Sequence, residues 1–205
     1  MATTTAYATS NSGALESYDA DYATARAGGA VGLRSDSDAR VGQYLYGGTT
    51  RFCFEEFLEF DLSGLSGATI TGATLSLFVW GIDGTPGVIE ARARDFGSGV
   101  SVADWVPGAD LAGLTELATY TAAAPDTVYK AFTSTGLVGW LTPGAVNRMV
   151  LASANIRTGT PPSAAEYITA YFSNYGGQPP KLDITYTAAA PPATGHSGLA
   201  LRGVG

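Results

Sequence analysis

The chain has 205 residues, 45% of them apolar and 14% charged, with 27 glycines and 10 prolines. That composition suits one β-rich domain with a sizeable core and excludes a disordered polyelectrolyte. The formal net charge is −7, and no Lys/Arg cluster is present, so nucleic acid and anionic membrane surfaces are not expected as partners.

Residues 1–17 are Thr-, Ala-, Ser- and Gly-rich, with Tyr7 and Leu15 as their large apolar groups, and read as an extended N-terminal arm. They show neither a basic n-region nor an apolar h-region, so no secretory signal is expected. No apolar run is long enough to cross a bilayer as a helix, so no membrane role is expected. Residues 18–46 come in short runs broken by glycines, as irregular strands and loops do. The glycines of residues 28–32 do not follow a strand and open a helix, so they are no phosphate cradle. Asp36 and Asp38 alternate as calcium ligands do, but the rest of a calcium loop is missing and such pairs are common in turns.

Residues 51–61, RFCFEEFLEFD, predict a long strand. Alternation puts Phe52, Phe54, Glu56, Leu58 and Phe60 on one face, and Arg51, Cys53, Glu55, Phe57 and Glu59 on the other. With Leu58 and Phe60 inward, Glu55 and Glu59 are expected on a solvated outer face, where Arg51 could pair with either. Glu56 is then expected inside, at a bulge or beside a basic residue of a neighbouring strand, because burying it unpaired is costly. Cys53 is the only cysteine and is expected as a small buried hydrophobe. A glycosidase needs two carboxylates about 5–10 Å apart across a cleft, and Glu55 and Glu59 lie farther apart than that along an extended strand. No catalytic role is expected for them.

Residues 74–81 alternate, with Leu75, Leu77 and Val79 opposite Thr74, Ser76, Phe78 and Trp80. Residues 88–96 alternate again, with one slip near Asp95. Residues 97–127 read as a loop-rich stretch carrying Trp105. A brief helix is expected within residues 135–144, stopped by Pro143-Gly144. Residues 148–156, 167–174 and 178–187 read as strands, the last with Leu182, Ile184 and Tyr186 on one face. Residues 188–205 are a small-residue linker and a C-terminal tail holding His196, the only histidine. A His-rich metal site is therefore impossible, and a Ser-His-Asp triad would need this tail residue.

Many short strands, one short helix and no strand–helix alternation predict an all-β fold: an antiparallel jelly-roll β-sandwich over residues 18–187, with extended terminal arms at 1–17 and 188–205. Flat rings stack on pyranose faces without charge or cofactor, so Tyr44, Tyr46 and Trp105 are the candidate glycan contacts. Tyr7, Leu15, Leu199, Leu201 and Val204 are candidate assembly contacts on the arms, suited to a partner's groove or sheet edge.

The run RFCFEEFLEFDLSGLSGATITGATLSLFVW, with DW at 104–105, YKAFTSTGLVGWLTPGAVNRMVLAS at 129–153 and YFSNYGGQPPKLDITYT at 171–187, resembles DNRLRE-type domains. The resemblance implies a jelly-roll sandwich of the kind found on bacterial surfaces and beside polysaccharide-degrading enzymes, some of them assigned as carbohydrate-binding modules. A surface-type sandwich without an export signal or catalytic constellation leads to the expectation of a non-enzymatic bacteriophage virion component, such as a capsid decoration, tail or fibre-associated protein. It would be made in the host cytoplasm and assemble through its arms with other virion proteins or as a homo-oligomer, without cofactors. The alternative expectation is a carbohydrate-binding module of a secreted or cell-surface protein, with a polysaccharide as partner.

Overall fold

The computed structural model describes residues 1–34, 38–123, 127–171 and 177–189. In chain order its elements are β1 (Ala2–Tyr7), β2 (Gly13–Asp19), α1 (Tyr22–Ala27), β3 (Ala30–Arg34), β4 (Asp38–Tyr46), β5 (Thr50–Asp61), β6 (Thr69–Gly84), β7 (Val88–Ala93), β8 (Glu116–Thr121), β9 (Val128–Ala131), β10 (Thr133–Ser134), α2 (Leu137–Trp140), β11 (Val146–Ser153), α3 (Ala154–Thr158), β12 (Ala165–Tyr171) and β13 (Lys181–Thr187). The fold is all-β and antiparallel, a sheet curled into a sandwich. The strand order is β1-β13-β6-β12-β4-β5-β11-β7-β8-β10, with β2 joining β3 to β5 and β9 added to β6.

Two long strands make the curl. β5 pairs with β4 through Thr50–Phe54 and with β11 through Glu56–Asp61. β6 pairs with β13 over its first half and with β12 over its second. A strand that changes partner midway must twist, and the sheet closes around Leu58, Phe60, Leu75, Leu77, Met149 and Ile184, which form the main core. The alternation expected for residues 74–81 is present, with Leu75, Leu77 and Val79 in that core and Phe78 and Trp80 on the opposite face.

A second, smaller core lies on the other face of β5. There Cys53 and Phe57 pack with Leu15, Tyr22, Trp105, Leu111, Val150 and Ile156. Its roof is α1, α3 and the segment between β7 and β8, which contains two short 3-10 turns.

The N-terminal stretch differs from an extended arm. β1 runs antiparallel on β13, from Ala2 against Tyr186 to Tyr7 against Lys181, and β2 pairs with β5 from Gly13 against Phe57 to Asp19 against Arg51. Leu15 is fully buried, so it is a core residue and not a free assembly contact. Tyr7 remains 55% exposed at the sheet edge. The reason is partner choice: a small-residue segment has weak intrinsic preference, and the open edges of β5 and β13 supply its hydrogen bonds.

Among the described residues there are three short α-helices where one was expected. α2 is the expected one. The other two depend on caps: the Asp21 side chain accepts the Thr24 backbone N–H at 2.9 Å, and Gly28 ends α1 with φ 97°. Ser153 likewise accepts the Asn155 N–H at 3.1 Å, so the strand expected over 148–156 ends at Ser153 and α3 begins. Within the stretch read as loop-rich, residues 116–121 form β8 because they pair with β7.

Candidate functional site

Beyond the end of the main core, an aromatic patch spans β4, β5 and β12. β5 presents Phe52 and Phe54, and its neighbour β4 presents Tyr44 and Tyr46. Tyr44 lies opposite Phe52 in the register, with ring centroids 6.4 Å apart, and meets Tyr46 edge-on at 5.8 Å. Phe52 stacks on Phe54 at 6.0 Å, and β12 adds Tyr167, edge-on to Phe54 at 5.7 Å and to Tyr44 at 6.0 Å. On the far side of β5, Tyr18 of β2 lies 5.2 Å from Phe52. Edge and offset packing of this kind fixes each ring through its neighbours.

Gly42 lets β12 come this close. Its φ is 135°, and a Cβ there would lie 2.3 Å from the Glu166 carbonyl oxygen and 2.7 Å from the Tyr167 Cα. Only glycine fits both the conformation and the contact.

These side chains line a groove of about 370 Å³ bounded by Glu16, Arg40, Tyr44, Tyr46, Phe52, Phe54 and Tyr167. Arg40 sits over two of the rings, its Cζ 4.9 Å from the Tyr167 centroid and 5.7 Å from that of Phe54. Arg34 also covers Phe54 at 5.6 Å and bonds Glu16 at 2.8 Å. Among the described residues no carboxylate forms an ion pair with Arg40. The guanidinium thus sits against aromatic rings and, among the described residues, in no ion pair. Flat rings beside hydrogen-bond donors suit a ligand with alternating apolar faces and hydroxyl or acidic groups.

The three glutamates of β5 meet a different environment. Glu55, Glu56 and Glu59 are all buried, at 0%, 0% and 3% exposure, so the expected solvated face for Glu55 and Glu59 is corrected: the second core covers it. Arg51 pairs with neither; it donates to the Ala20 carbonyl. Glu59 accepts from the Thr9 hydroxyl at 2.7 Å, Asn11 Nδ2 at 2.8 Å and Arg148 Nε at 2.7 Å. Burial pushes its pKa up, but these donors together hold it below the ordinary value. Arg148 also reaches Asp95 at 2.9 Å.

Glu55 accepts one bond, from the Val106 N–H at 3.1 Å, and its Oε1 has no partner among the described residues. Burial raises it well above the ordinary range. Glu56 has no partner on either oxygen among the described residues, and burial pushes it up to about 8. It faces the main-core side between Phe54 and Leu58, with Ala14 and Leu151 as its cross-strand neighbours. No basic residue of a neighbouring strand reaches it, contrary to the pairing that alternation suggested. Cys53 is buried, and burial followed by the nearby Glu55 pushes its thiol up to about 12, so it stays an unreactive thiol at neutral pH.

Tyr44 and Tyr46 therefore lie together on an open groove. Trp105 does not join them. It is 7% exposed in the second core, its ring against Gly28 at the end of α1, which removes it as a stacking surface. Asp38 begins β4; its proposed calcium partner Asp36, like His196, Leu199, Leu201 and Val204, lies outside the described residues. Among the described residues no group of three or more His, Cys, Asp or Glu could hold a metal ion, and no helix is long and apolar enough to cross a membrane.

Sequence reasoning missed Phe52, Phe54, Arg40 and Tyr167 as site residues. A signal was present: Tyr167, Thr169 and Tyr171 alternate with the core residues Ile168 and Ala170, so the non-core face of that strand is aromatic at both ends.

No protein-family model matches the chain, and no curated protein matches it in sequence.

Proposed function

We propose that the protein is a non-enzymatic carbohydrate-binding β-sandwich whose site is the aromatic groove between β4, β5 and β12. The observation that carries this reading is the open set of locked rings around Arg40. Tyr46 is 60% exposed, while Phe54 beneath is 1% exposed. Rings of this kind stack on the apolar faces of pyranose units, and Arg40 donates to hydroxyl or acidic substituents between them. The DNRLRE-type resemblance points the same way.

The test is a binding screen of the purified chain against neutral and acidic polysaccharides by affinity electrophoresis and calorimetry. Saturable binding to at least one is expected. Tyr44→Ala and Phe52→Ala should each weaken it by about tenfold or more. Absence of saturable binding, or binding indifferent to both changes, rejects the reading.

A virion role rests on a separate observation. β1 is the end strand of the sheet, uncharged and proline-free, and its last residue, Tyr7, is exposed. An edge of that composition can pair with another chain. Light scattering of the full chain beside a Thr4→Pro variant tests it: an oligomer that becomes a monomer supports assembly through β1, and a monomer in both cases rejects self-assembly there.

A further inference from the structure

The groove does not end at Arg40. A second depression of about 400 Å³ continues on the same face, lined by Arg34, Asp38, Trp80, Asp83 and Thr169, and it shares Arg40 and Tyr167 with the first. Its aromatic wall is Trp80, 41% exposed, with its ring 6.4 Å from that of Tyr171. Tyr171 in turn stacks on Phe78 at 5.7 Å and 11°, and Phe78 is held edge-on by Tyr129 at 5.5 Å. Trp80 is thus an exposed ring on a fixed aromatic base, the same construction as Tyr46 and Tyr44 over Phe52.

The register sets the spacing. Tyr44 lies opposite Ala165 of β12, and Trp80 lies at the bulge where β12 passes from Thr169 to Ala170. Strand spacing and rise together put the two platforms roughly 18 Å apart, which several linked sugar units span and one or two do not.

We infer that Trp80, with Tyr171 beneath it, is a second sugar-stacking subsite. The face then takes an extended internal stretch of a linear polysaccharide across Arg40, not a single sugar or a chain end. This rests on the carbohydrate reading above. Two platforms joined by a shared cation act as linked sites, so affinity depends on whether one ligand reaches both.

The experiment is calorimetry of the full chain with linear oligoglucans and oligouronates of two to eight units, repeated with Trp80→Ala, Trp80→Tyr and Tyr44→Ala. Circular dichroism checks that each variant is folded. Affinity should rise at least tenfold between the shortest ligands and those of five or more units. Trp80→Ala should erase that rise while leaving the short ligands unchanged, Trp80→Tyr should keep most of it, and Tyr44→Ala should weaken every length. A flat length dependence, or a Trp80→Ala profile like the parent's, overturns the second subsite while the first stands. Binding to no oligomer and no polymer overturns both readings together.

Discussion

The two halves of β5 are built from the same alternating pattern and end in opposite states. Residues 51–54 run between β2 and β4, and their even-numbered side chains, Phe52 and Phe54, floor an open groove. Residues 56–61 run along β11, where Leu58 and Phe60 enter the main core and Glu59 is sealed beneath the second. Glu55 and Glu59 lie on the opposite face from the rings, and Glu56 shares the rings' face but is buried where that face enters the main core. Burial here follows from what lies across the strand. At the first half β4 and β12 add rings without a layer above them. At the second the curled sheet closes over Leu58 and Phe60 as the main core, and the opposite face of the strand lies under the second core. Within the closed half, Glu59 has three donors and Glu56, three residues earlier, has none among the described residues.

The largest expected effect breaks the satisfied end. Glu59→Ala leaves Arg148 and the Thr9 and Asn11 donors without their acceptor, and should cost about 4 kcal/mol by urea unfolding. The pH dependence of that contribution has a fixed sign. Because Glu59 is held below its ordinary value of 4.5, its stabilisation is present above that pH and is lost as pH falls through the depressed value. A variant as stable as the parent at neutral pH would show that the donors do not stabilise the carboxylate.

The unsatisfied carboxyl should respond with the opposite sign. Glu56 is raised from 4.5 to about 8, so the stability associated with its neutral form is complete below about 4.5 and is lost as pH climbs through about 8. Glu56→Leu should therefore raise stability at pH 8 by roughly 2–3 kcal/mol, with the gain shrinking toward pH 4. Paired unfolding curves at the two pH values decide it; a constant difference would mean that Glu56 finds a partner on ionisation.

The smallest effect separates the open face from the second core. Trp105→Phe should cost only about 1–2 kcal/mol and leave glycan affinity unchanged, since Trp105 packs beneath α1, away from the groove. Lost binding in a folded Trp105→Phe protein would join the two regions that the structure separates.

What the sequence by itself determined was local. Period-two alternation located β5, β6, β7 and β13 and chose the core side of Leu75, Leu77, Leu182 and Ile184, because adjacent side chains on a strand must point to opposite faces. It also placed Cys53 among buried groups. What only the tertiary structure decided was the neighbour across each edge and above each face. That choice made strands of residues 2–7 and 13–19, buried Leu15 and Trp105, and gave Glu59 an arginine 89 positions away. It also gathered Tyr44, Phe52 and Tyr167 from three strands into one groove. Alternation fixes which side chains share a face, but covering that face requires chain segments distant in sequence, and no local period encodes which of them arrive.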